Sequence, residues 1–167
     1  VFKQDSPVVY GFDGDFTDKD ERIVKEFVRV INEIIGYDFF SYSTNSEAIT
    51  IPIELRECLS RRPYGDAWGT GSCAGYTGFY NLIEESIWID ADLYGLERDH
   101  VLIHELGHSL GLHHSSCIKS GLMSTENVTK NNSVNFTDFE IALIKFLYTP
   151  LETIIDTDNP VGIIKNK

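Results

Sequence analysis

The chain has 167 residues, 42% of them hydrophobic, enough for one domain with a real core and too few for a second. Its 26 acidic residues against 14 basic ones give a net charge of -12, which argues against nucleic acid and anionic membranes as partners. No apolar run approaches the roughly 20 residues that cross a bilayer, and no basic, apolar, small-residue leader opens the sequence, so Val1 reads as the start of a processed form.

Pro7 to Tyr10 is short and apolar and predicts a first strand ending at Gly11. Asp13, Asp15, Asp18 and Asp20 then offer oxygen donors to a structural calcium ion, but glycine and glutamate fall at the wrong offsets for an EF-hand. The plainer reading is a helix capped by Thr17, with an acidic first turn that suits the helix dipole. Ile23, Val24, Phe27, Val30, Ile31 and Ile34 recur at three- and four-residue steps, so Asp18 to Ile35 is an amphipathic helix closed by Gly36. Phe39 to Tyr42 and Ala48 to Ile53 follow as strands, the second alternating Ile49, Ile51 and Ile53.

Residues 58 to 73 are irregular. Cys58 and Cys73 bracket the turn-rich stretch Arg61 to Asp66, which a disulfide would staple; Cys73 with Cys117 is the alternative pairing, and one of the three cysteines stays single. Gly71 to Asn81 and Glu85 to Asp90 predict two more strands, and Leu96 to Leu110 a helix with Val101, Leu102, Leu106 and Leu110 available to the core. Ser124 to Asn135 is polar and carries acceptor sequons at Asn127, Asn131 and Asn135. Thr137 and Glu140 form a capping box before a helix that runs to Tyr148 and stops at Pro150. We take residues 1–150 as one domain, divided into an upper part, 1–114, and a lower part, 115–150, with 151–167 as a tail.

The chemistry concentrates between His104 and His114. On a helix, His104 and His108 at i and i+4 project from one face and can grip one ion, while Glu105 sets a carboxylate beside any water that ion holds. Gly111 tolerates a left-handed backbone and can end the helix, returning the chain so that His114 supplies a third nitrogen. Three neutral imidazoles with an open position make a catalytic zinc site; structural sites are usually closed by four protein ligands. His113 is the competing neighbour of His114, and His100, one turn before His104, reads as a residue of the surface or of the layer behind the ligands.

The string His-Glu-x-x-His-x-x-Gly-x-x-His, followed by Gly121-Leu122-Met123-Ser124, resembles the metzincin clan of zinc endopeptidases, in which a methionine turn underlies the metal. Ser115 after the third histidine, and Phe136 to Ile141 running on to Phe146-Leu147-Tyr148, resemble the matrixin branch. The resemblance implies an α+β fold: a twisted, mostly parallel five-stranded sheet with an antiparallel edge strand, a long backing helix, the active-site helix and a C-terminal helix. It also selects His114 over His113, makes Met123 the floor of the site, and casts Ala74, Gly75, Tyr76, Thr77 and Gly78 as the sheet edge to which an extended substrate adds as a further strand. Matrixins build a second zinc site on histidines in the region of 58–73; this chain has no histidine before His100, so one Zn(2+) per chain is expected. Where astacin-like relatives place a tyrosine ligand, Thr125 stands, and where matrixins carry an aspartate in the last helix, Phe139 stands.

The implied activity is hydrolysis of internal peptide bonds in protein or peptide substrates by a secreted, extracellular, monomeric metalloendopeptidase. Water held by the metal is the nucleophile and Glu105 serves as general base and then general acid. The competing reading is a non-catalytic zinc-containing module that binds peptides in the same cleft.

Overall fold

The computed structural model describes residues 4–56, 77–93, 95–114, 121–123, 134 and 136–149. All three cysteines, the three sequon asparagines, Ser115, Ala74, Gly75, Tyr76 and the tail 151–167 lie outside them.

Among the described residues, the chain runs β1 (Val8–Asp13), α1 (Asp18–Ile35), β2 (Phe40–Tyr42), a 3-10 turn (Ser46–Ala48), β3 (Ile51–Arg56), β4 (Gly78–Asn81), β5 (Ser86–Asp90), α2 (Gly95–Ser109) and α3 (Asp138–Tyr148). The sheet has the order β2-β1-β3-β5-β4. Four strands are parallel, and the edge strand β4 runs antiparallel to β5, with Phe79 opposite Trp88 and Tyr80 opposite Ile87. This is the expected mixed sheet with its three helices. No described helix is long and apolar enough to cross a membrane.

α1 forms where its periodicity predicts. Val24, Phe27, Ile31 and Ile35 turn one face inward, and Thr17 and Asp20 exchange the two bonds of a capping box, bringing two otherwise orphaned backbone donors into partnership. Gly36 ends the helix at φ 86, the left-handed conformation that glycine adopts without a Cβ penalty. From its last turn, Asn32 accepts from the amides of Phe39 and Phe40 through Oδ1 and donates through Nδ2 to the Phe40 carbonyl, which sets where β2 begins.

Several strand boundaries differ from the sequence reading, and for two of them the local reason is plain. β1 continues through Gly11 to Asp13, because this glycine serves close approach: a Cβ there would sit 2.2 Å from Ile49 Cδ1 and 2.6 Å from the Ser43 carbonyl. β3 starts at Ile51, three residues later than the alternation suggests. Asn45 Oδ1 accepts from the Glu47 amide and winds Ser46–Ala48 into the 3-10 turn first.

Tyr10, fully buried on β1, is the hub of the core. It lies edge-on to Phe27 of α1, stacks with Phe40 of β2, and reaches Ser109 of α2, so both long helices lie on the same side of the sheet. Their N-terminal ends are clasped by charge: Lys19 pairs with the buried Asp99, and Arg98 lies 3.8 Å from Asp20 and over the ring of Phe16. α3 closes the other end against α1, with Phe136 beside Phe27.

Candidate active site

α2 carries the site because its sequence alternates between what the core accepts and what it does not. Leu102, Ile103 and Leu106 are buried on the sheet side, while His104 and His108, one turn apart, stay half-buried with their rings edge to face at 4.8 Å. The helix tightens at its end. Leu110 donates to the Gly107 carbonyl and Gly111 to that of His108, three residues back in each case, and Gly111 at φ 86 turns the chain. His114 is thereby delivered to the open side. Its Nε2 lies 2.9 Å from Nε2 of His104 and 3.1 Å from Nε2 of His108.

The other ring nitrogens explain why these faces converge. Nδ1 of His104 bonds the Leu122 carbonyl at 2.9 Å, and Nδ1 of His108 bonds the Leu112 carbonyl at 2.8 Å. A carbonyl only accepts, so both Nδ1 atoms carry the proton and both Nε2 atoms present lone pairs to the common centre. His114 Nε2 faces those two lone pairs, and with its own proton on Nδ1 it adds a third to the same centre. Burial pushes the His104 pKa down and that of His108 down to about 4, with the neighbouring histidines adding to the shift. Both rings are thus neutral ligands at neutral pH, and this donor set fits a zinc ion. Among the described residues these three are the one His/Cys/Asp/Glu group close enough to share an ion.

Glu105 is buried, and burial pushes its pKa up to about 8, partly opposed by a bond from the Tyr80 amide. That amide belongs to the edge strand. β4 leans on α2 so closely that a Cβ at Gly78 would sit 2.4 Å from Val101 Cγ1 and 2.7 Å from Glu105 Cγ. Thr77 accepts from the Asp90 amide at 3.0 Å and begins the pairing with β5. Of the five residues expected to form the substrate edge, Gly78 begins this strand beside Glu105, and Thr77 immediately precedes it.

Met123 packs against α2 at Gly107. It is buried, and its Sδ would be 2.5 Å from a Cβ at Gly107, so glycine there leaves room for the thioether. Its peptide group is held from both sides: the Met123 amide donates to Glu140 Oε1, and the Leu122 carbonyl accepts from His104. The second oxygen of Glu140 completes the α3 capping box with Thr137.

His113 is exposed and stands outside the cluster. His100 is buried, with its ring centroid 6.1 Å from that of His104, so it belongs behind the ligands and not on the surface. Sequence reasoning missed the Tyr80 amide, the Leu112 and Leu122 carbonyls and the bond from Glu140 to Met123. Three of these are backbone groups that carry no residue signature. Glu140 was read only as a capping residue, which leaves its other oxygen unaccounted for.

A model of the matrixin family matches residues 13–149. The chain is 27% identical over 145 residues to matrilysin of Mus musculus, covering 80% of this chain and 53% of that protein. It is 29% identical over 139 residues to matrilysin of Rattus norvegicus, covering 77% and 50% respectively. The chain spans about half the length of these curated relatives. With the family match covering most of its length, including the three converging histidines and the buried glutamate beside them, the chain belongs to the matrixin family.

Proposed function

We propose that the chain is a zinc-dependent endopeptidase that hydrolyses internal bonds of protein or peptide substrates. The observation that carries the reading is the convergence of three Nε2 atoms, two of them made acceptors by carbonyl bonds to Nδ1, next to a buried carboxyl group. His104, His108 and His114 would hold the ion. When bound, zinc supplies Lewis acidity toward a peptide carbonyl and lowers the pKa of water from about 15.7 toward 7.

The remaining work falls to this chain's own residues. Glu105 takes a proton from the attacking water as the new carbon–oxygen bond forms. It then gives that proton to the amide nitrogen as the carbon–nitrogen bond breaks, so one carboxyl group acts as base and then as acid. Glu105 enters the cycle in its base form, which a cation held by His104, His108 and His114 would favour. Met123 supports the ligand helix from below. Thr77 and Gly78, with Ala74, Gly75 and Tyr76 before them, offer an edge to which an extended substrate pairs as a strand. Family membership supports action on proteins outside the cell; in this reading the chain works as a monomer with residues 1–150 as the peptidase unit.

The test is digestion of a proteome-derived peptide library by the purified chain, with and without 1,10-phenanthroline. Internal cleavage that the chelator abolishes and added zinc restores is the expected result. A chain that binds zinc and peptide but cleaves nothing is a binding module instead.

A further inference from the structure

The bend between Ser109 and Leu112 decides whether His114 meets the other two histidines, and its carbonyls are held by groups from distant elements. At the end of α2 the Leu110 amide donates to the Gly107 carbonyl, and the Leu106 carbonyl, one residue earlier, gains a side-chain donor. Ser109 Oγ donates to that carbonyl at 2.7 Å. With its proton committed there, Ser109 Oγ must accept from the Tyr10 hydroxyl, also at 2.7 Å, and both residues are fully buried. One residue further on, the Leu110 carbonyl accepts from the Tyr148 hydroxyl at 3.1 Å, and the Tyr148 oxygen accepts in turn from the Gln4 amide. Burial pushes the Tyr10 phenol far up and that of Tyr148 up to about 12, so both remain O–H donors across the working pH range.

We propose that Tyr10 and Tyr148 are positioning residues for the metal centre: their hydroxyls, through Ser109 Oγ and the Leu110 carbonyl, register the bend that returns His114 to His104 and His108. The inference rests on the reading of the triad as a zinc site. It assigns a site role to two aromatic residues whose rings serve the core, Tyr10 against Phe27 and Phe40, Tyr148 against Phe39 and Phe40. Neither hydroxyl touches a ligand, so each acts on the ion by fixing the last turn of α2. Without them the Ser109 oxygen and the Leu110 carbonyl lose their donors, and His114 loses its fixed approach.

The experiment uses the full chain carrying Tyr10→Phe or Tyr148→Phe, which keep the rings, with Ser109→Ala as a second route to the same bend. Zinc dissociation constants are measured by chelator competition, and the visible spectrum is recorded after cobalt replaces zinc. Tyr37→Phe is the control: it removes a hydroxyl bonded to the Tyr148 carbonyl and leaves the bend untouched. In the bend variants, zinc binding should weaken about 10-fold and kcat should fall with little change in KM, as for supporting partners of metal ligands generally. The cobalt spectrum should shift, and Tyr37→Phe should match the parent in all three readouts. If the bend variants fold, lose only thermal stability and keep the parent's zinc affinity and cobalt spectrum, the tyrosines are purely structural and the inference falls. If the parent chain itself binds no zinc, the function reading falls and takes this one with it.

Discussion

α1 and α2, of 18 and 15 residues, lie on the same side of the same sheet but differ in what they bury. On α1 the buried residues are Val24, Phe27, Ile31 and Ile35, with Asp20 satisfied inside its own capping box. On α2, Asp99, His100, Glu105 and Ser109 are buried among Val101, Leu102, Ile103 and Leu106. The first is a helix whose stability comes from apolar area removed from water. The second keeps groups that prefer water inside the core, which opposes stability unless each has a partner. A helix that carries polar groups inward at a cost does so for chemistry, and the contrast separates the scaffold from the site.

The largest effect that separates them is a cavity on α1. Phe27→Ala should lower the free energy of unfolding by about 3–5 kcal/mol, measured by denaturant titration, while zinc affinity of the folded fraction stays near the parent's. Loss of metal binding without loss of stability would blur the division.

On α2 the corresponding effect is a dependence on pH. Burial pushes Glu105 up to about 8 in the metal-free protein, whereas a glutamate of the unfolded chain titrates near about 4.3. The folded chain therefore holds that proton more tightly than the unfolded one. Stability from this group is fully present at low pH and is lost as pH rises between those values. His104 and His108, with pKa values pushed down, act in the opposite sense and lose stability as pH falls. Comparing the metal-free parent with Glu105→Gln isolates the carboxyl: the parent should lose a few kcal/mol relative to the variant between about pH 5 and about pH 8. Parallel stability curves would place the carboxyl in water.

Gly78→Ala comes next. Its new methyl group meets Val101 and Glu105, so a loss of about 1–3 kcal/mol is expected, together with a fall in peptide hydrolysis as β4 moves off Glu105. Unchanged turnover would detach the edge strand from the site. The smallest effect lies on the outer face of α1, where exposed Arg29 bridges Glu26 and Glu33. Arg29→Ala should cost no more than about 0.5 kcal/mol, read in the same titration, and should leave activity untouched.

The same contrast explains what the sequence discloses. The boundaries of α1 are legible, and so are Val24, Phe27 and Ile31 of its buried face, because a 3.6-residue period and caps are local properties; the burial of Ile35 in place of Ile34 is set by the packing. The triad is legible because His104 and His108 lie one turn apart on one helix and the metzincin resemblance selects His114 over His113 after the glycine bend. The strand boundaries at Gly11 and Ile51 are not, since they depend on Ile49 packing against a neighbouring strand and on one asparagine side chain capping a turn. The depth of His100 and the second task of Glu140 escape as well, because both arise from elements that meet only after folding. Tyr10 looks like any core aromatic until Ser109 is found 2.7 Å from its hydroxyl.

In the proposed mechanism three imidazoles hold one zinc ion and the buried carboxyl beside them moves the proton. Glu105→Gln measures it most directly, read by zinc content and by turnover of an internally quenched peptide. The account expects about one zinc per chain, as in the parent, with turnover reduced at least about 100-fold. A variant that retains its zinc and cleaves at the parent's rate would contradict it.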